Sequence, residues 1–122
     1  MAEAFVKLEI YVPESHAEAV RLAVCEAGAG RLGRYDHCCW QTSGTGCFRP
    51  LAGSTPFLGE TGQLERVPEC KLETICRREA LPAVLAALRQ SHPYETPAFQ
   101  YWSVELGGAA EEEGACCSSP DS

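Results

Sequence analysis

Three histidines and eight cysteines in 122 residues are the side chains of this sequence best suited to chemistry. His37, Cys38 and Cys39 are consecutive and Cys47 follows, which places imidazole and thiolate donors of the kind that hold Zn²⁺ or Cu(I) close together in sequence. Successive residues of a strand point to opposite faces, so His37 shares a face with Cys39 and not with Cys38. A hairpin would have to bring Cys47 to them. His37, Cys39 and Cys47 are therefore the candidate ligands, and zinc or copper the candidate cofactor. Against this, no C-x-x-C spacing is present, and buried thiols also pack simply as small apolar groups.

A second group surrounds Gly44-Thr45-Gly46, whose amides could meet an anion, with Arg49 three positions on. A P-loop would need a helix and a lysine directly afterwards, and here the chain runs into Phe48-Arg49-Pro50, so a tight turn or bulge is the expected structure. A third is His92-Pro93-Tyr94-Glu95. His92 falls at a helix end, where exposed carbonyls favour its protonation, and Tyr94 and Glu95 could turn toward the glycines to form a polar pocket. The candidate ligand contacts are Gly44, Gly46, Arg49, His92, Tyr94 and Glu95. No G-x-S-x-G, H-E-x-x-H or thiol-enzyme signature pairs a nucleophile with a base, so no catalytic residue is assigned.

The elements that must position these residues follow from periodicity. Phe5 to Val12 alternates, with Val6, Leu8, Ile10 and Val12 on one face, as a half-buried strand does. Ser15 and Glu18 have the spacing of a capping box for a first helix, whose apolar positions are Val20, Ala23, Val24 and Ala27 and whose stop is Gly28. Strands are predicted over Tyr35–Thr42 and Glu69–Arg77, the second with Cys70, Leu72, Thr74 and Cys76 on one face. Between them Ser43 to Val67 is rich in glycine and proline and reads as a long excursion, shortened if Gly46–Arg49 adds a strand. A second helix over Glu79–Gln90 carries Leu81, Val84, Leu85 and Leu88, with Pro82 in its first turn. A last strand runs from Ala98 to Leu106. The order β-α-β-β-α-β predicts an α+β ferredoxin-like sandwich, with both helices on one face of an antiparallel sheet. The other face would expose Phe5, Tyr11, Tyr35, Phe99 and Tyr101, which self-association would cover.

The totals limit the function classes. Residues 1–106 make one domain, while 107–122 (GGAAEEEGACCSSPDS) read as a disordered acidic tail that holds four of the seventeen acidic residues. The remaining thirteen face ten basic residues without any clustered Lys/Arg, which argues against nucleic acid. The longest apolar runs fall far short of a bilayer span and the N-terminus enters a strand pattern directly, so no membrane partner and a cytoplasmic address are expected. Reduced, packed thiols are expected for the same reason.

Four strings occur in order on these elements: Gly33-Arg34-Tyr35-Asp36-His37-Cys38, Gly44 through Pro50, Pro56-Phe57-Leu58-Gly59, and His92-Pro93-Tyr94-Glu95-Thr96-Pro97-Ala98. Together they resemble the CutA/PII-like domain inserted in Nif-three-like (Ngg-interacting factor) proteins and also found alone in short bacterial proteins. The likeness covers about residues 5 to 106. It implies a CutA/PII-like fold packed as a homotrimer, sheet against sheet, with ligands or partners docking at the connection between strands two and three. The dinuclear metal site of the full-length relatives sits on flanking halves that this sequence lacks, so it is not carried over. Three functions are weighed: a non-catalytic oligomeric binding or sensing module for a small molecule or protein partner, a CutA-like metal-tolerance protein, and a hydrolase whose site forms between subunits.

Overall fold

The computed structural model describes residues 4–108; the expected acidic tail lies outside the described residues from position 109 onward. Four strands, β1 (Phe5–Pro13), β2 (Cys39–Phe48), β3 (Glu65–Arg77) and β4 (Ala98–Val104), form one antiparallel sheet in the order β2-β3-β1-β4. Helices α1 (Ala17–Glu26) and α2 (Leu81–Ser91) cover one face, each entered through a single 3-10 turn. This is the ferredoxin-like α+β sandwich that the periodicity predicts.

The core is the set of apolar residues that alternation and helical spacing select. Val6, Leu8, Ile10 and Val12 of β1, Leu72 of β3, Val20 and Val24 of α1, and Val84 and Leu88 of α2 are fully buried. Helix α1 stops as its glycine requires. Gly28 has φ +127°, its N–H donates to the Cys25 carbonyl, and the Ala29 N–H donates to the Val24 carbonyl, a Schellman motif. Of the cysteines described, Cys25, Cys70 and Cys76 are buried and none is paired in a disulfide.

Five expectations about the fold need correction. The Ser15–Glu18 capping box does not form, because the 3-10 turn delays the helix to Ala17; Glu18 pairs with Arg21 instead, and Ser15 Oγ lies 2.9 Å from His16 Nδ1. The second strand is Cys39–Phe48 and not Tyr35–Thr42. The preceding residues turn, with a bridge between Leu32 and Tyr35 and His37 at φ +58°. Gly44 and Gly46 are neither turn nor bulge: they continue the strand, paired with Glu69 and Val67. β3 starts earlier than expected, at Glu65, and tolerates Pro68 because β1 ends opposite Glu69, leaving that stretch paired on one side only.

The last correction concerns the open face. Phe99 and Tyr101 pair with Ile10 and Leu8, so they stand on the helix side, where Phe99 packs against the core. Tyr35 is outside the sheet, and Phe5 is 4% exposed with the Arg77 guanidinium 5.6 Å above its ring. Lys7, Glu9, Lys71 and Glu73 occupy the middle of the open face, with Lys7 Nζ 2.9 Å and Lys71 Nζ 3.7 Å from Glu73. Alternation fixes which residues share a face, but not which face is covered.

Candidate functional site

A cavity of about 470 Å³ opens at the end of the sheet where β2 finishes and β4 begins. Gly46 and Phe48 of β2, Glu69 of β3 and Tyr11 of β1 supply its floor, and the loop 49–64 and the segment after α2 supply its walls. Leu51, Pro56, Phe57 and Leu58 make the loop side apolar, while Arg49, Tyr94 and Glu95 are polar groups on the lining.

Gly46 shapes the floor by having no side chain. A Cβ there would lie 2.3 Å from the Glu69 carboxylate carbon, so the glycine is what lets that carboxylate lie over β2. Glu69 Oε2 accepts a 2.9 Å hydrogen bond from the Tyr94 hydroxyl. Burial and this bond to a carboxylate both raise the Tyr94 pKa, so the phenol stays protonated through the physiological range. The Tyr94 ring also sits among aromatic neighbours, its centroid 5.8 Å from Phe48 and 6.3 Å from Phe57. Glu95 ties the loop down: its Oε1 accepts the Thr55 N–H at 2.8 Å.

His92 lies beneath the cavity wall, 6% exposed. Its Nε2 is 2.7 Å from the Tyr11 carbonyl and must donate, while its Nδ1 accepts the Tyr94 N–H at 3.2 Å. Those partners select the neutral ring protonated at Nε2. The expectation of a protonated histidine is corrected: burial pushes its pKa below the usual value, and this outweighs the opposing pull of the Tyr11 carbonyl and the Glu69 charge. His92 positions Tyr94 against β1.

Of the six candidate ligand contacts, Gly46, Arg49, Tyr94 and Glu95 line the cavity, His92 supports it from behind, and Gly44 lies two residues up the strand, outside it. The candidate metal ligands are not brought together. No hairpin separates Cys39 from Cys47; they stand eight positions apart on one strand, about 26 Å at about 3.3 Å per residue. His37 precedes Cys39 at the start of β2, remote from Cys47, and its ring nitrogens lie 3.6 Å from Glu26 and 3.4 Å from Asp36. Cys39 is half-buried and its pKa is raised by that burial; Cys25, also buried, is pushed up to about 11. Among the described residues no group of three or more His, Cys, Asp or Glu side chains is placed to hold an ion. Sequence reasoning missed Glu69, which is 25 residues from Tyr94; the one signal for it was a glycine inside a strand.

This sheet and these helices form a CutA/PII-like fold. The Thermus thermophilus divalent cation tolerance protein superimposes over 89% of the chain with a TM-score of 0.62 at 18% identity. Bacillus subtilis GlnK, solved with ATP, does so over 85% with 0.57 at 11%. At such identities these two likenesses show the fold alone. In sequence, the chain is 46% identical over 99 residues to a Bacillus subtilis protein named GTP cyclohydrolase 1 type 2 homolog. A Bacillus cereus protein related to NIF3 matches 89% of the chain with a TM-score of 0.76 at 39% identity. The chain thus resembles the CutA/PII-like portion of NIF3-related proteins. It spans about a quarter of their length, 26% and 28% respectively. No family model matches it.

Proposed function

We propose that the chain is a non-catalytic binding or sensing domain that works as a homo-oligomer, a trimer by its resemblance, and takes a small ligand in the cavity between β2, the loop 49–64 and Tyr94. The observation that carries this reading is the meeting of Gly46, Arg49, Tyr94 and Glu95 on one cavity of about 470 Å³, within the size range of small-molecule sites. Apolar and aromatic walls suit a flat ligand body, and Arg49 suits an anionic group on it. Tyr94 and Glu69 present one prearranged hydrogen-bonded pair.

The relatives carry guanosine triphosphate in their name, which makes GTP the first probe and simple aromatic carboxylates the second. Amide resonances of Gly46, Arg49, Thr55, Tyr94 and Glu95 are expected to shift together on titration, and Arg49→Ala to weaken the response. Shifts confined to other parts of the sheet would refute the site. Metal handling through His37, Cys39 and Cys47 draws no support from their separation, and hydrolysis at an inter-subunit site has no specific observation in its favour.

A further inference from the structure

The hydrogen bonds around the cavity commit donors and leave acceptors open. The Tyr94 hydroxyl gives its proton to Glu69 Oε2 at 2.9 Å, and the Ser54 hydroxyl gives its own to the Leu51 carbonyl at 2.7 Å. The Thr55 N–H donates to Glu95 Oε1 at 2.8 Å. Desolvation and the bond to Glu69 both hold the Tyr94 phenol protonated, so that proton stays with the carboxylate. Among the described residues neither Oε1 of Glu69 nor Oε2 of Glu95 accepts a hydrogen bond, and no ion pair includes Glu69, Glu95 or Arg49. Gly46 keeps Oε1 of Glu69 uncovered on the floor, since a Cβ there would lie 2.3 Å from that oxygen. Arg49 is the one basic side chain on the lining, against the two carboxylates.

From this arrangement we infer that the cavity takes a flat ligand by an amidine-type edge, a pair of N–H donors on one carbon, set against the Glu69 carboxylate, with a single carboxylate at the ligand's other end meeting Arg49. The inference rests on the binding reading above and names the chemistry of its ligand. An amidinium meets a carboxylate with two parallel charge-assisted bonds, as a guanidinium does. Glu69 has the capacity for both, because an ionised carboxylate offers about four acceptor sites and the Tyr94 hydroxyl fills one. A ligand with an acceptor or a second anion in that place would cover a partly buried carboxylate without giving it a partner, which is costly. The walls agree with a flat, delocalised cation. Phe48, Phe57 and Tyr94 all line the cavity, and aromatic faces attract cations. One guanidinium on the lining matches one anionic group on the ligand.

Para-amidinobenzoate, benzoate and terephthalate share one ring and one carboxylate and differ only at the opposite position, which carries an amidinium, a hydrogen or a second carboxylate. Each is titrated into the full chain and into Glu69→Gln, whose amide oxygen still accepts the Tyr94 proton, with two-dimensional amide NMR as the readout. In the wild type, para-amidinobenzoate is expected to shift Gly46, Tyr94 and Glu95 with a dissociation constant about tenfold or more below that of benzoate, and terephthalate to bind more weakly than benzoate. Glu69→Gln is expected to remove most of the preference for the amidine while leaving benzoate binding in place. Benzoate or terephthalate binding at the cavity as tightly as para-amidinobenzoate, or a preference that Glu69→Gln leaves intact, would overturn the donor-edge inference and spare the binding reading. Cavity amides silent to all three probes would overturn the inference, and the binding reading falls with it only if GTP leaves them silent too.

Discussion

Replacing Gly46 with alanine tests how the cavity floor is built. The new Cβ would come within 2.3 Å of the Glu69 carboxylate, closer than real Cβ contacts allow, so the flexible end of Glu69 has to swing away. Its backbone can stay, and what is lost is the 2.9 Å bond from the Tyr94 hydroxyl. Hydrogen bonds to charged groups contribute about 1.5–3 kcal/mol, and this partly exposed one belongs at the low end of that range. Alanine in place of glycine returns about 0.4–1 kcal/mol by restricting the unfolded chain, so the expected net loss is about 0.5–1 kcal/mol. Gly44→Ala is the control, since a Cβ at Gly44 meets nothing within 4 Å and should stabilise. At about 4–8 °C per kcal/mol, the two variants are expected to melt on opposite sides of the wild type, separated by several degrees. Calorimetry at one fixed protomer concentration reads this directly. Tyr94→Phe removes the same bond, so combining it with Gly46→Ala should cost less than the sum of the single changes. Equal shifts for both alanine variants, or full additivity with Tyr94→Phe, would refute the role assigned to Gly46.

His92 predicts the acid response. Because burial holds its folded pKa below the unfolded value near 6.5, its contribution is complete above that pH and is lost as pH falls toward the folded value, so melting temperature should drop below about pH 6.5. His92→Gln should flatten this slope while lowering stability at neutral pH by about 1–3 kcal/mol; an unchanged slope would exclude His92 as the source. Glu95→Gln weakens the tie to the Thr55 amide, so proteolysis within the loop 49–64 should accelerate with little change in melting temperature. Leu8→Ala, at the fully buried centre of β1, should destabilise by about 2–5 kcal/mol in a denaturant titration, and a loss under 1 kcal/mol would contradict the core assignment.

The sequence disclosed the fold through signals that act locally. Alternation in β1 and β3 and the 3.6-residue spacing in both helices each identify the buried side of one element, and the Gly28 stop is a backbone property of glycine. The misplacement of β2 has a physical cause as well. Gly44 and Gly46 mark turns in most contexts, but here one continues an edge strand and the other makes room for a carboxylate that belongs to another strand. Cys39 and Cys47 looked adjacent only under a hairpin that the chain does not make. The cavity was legible in part because its polar residues fall in two short strings, whereas Glu69 enters through strand register, which sequence spacing does not reveal.

The cavity beside Gly46 and Tyr94 is the proposed binding site of this domain. Two-dimensional amide NMR of the full chain, titrated with GTP and then with aromatic carboxylates, tests it most directly. Saturable shifts are expected to cluster on Gly46, Arg49, Thr55, Tyr94 and Glu95 and to weaken in Arg49→Ala. Saturable shifts centred instead on His37 and Cys39, or no response at the cavity residues to either class of probe, would contradict it.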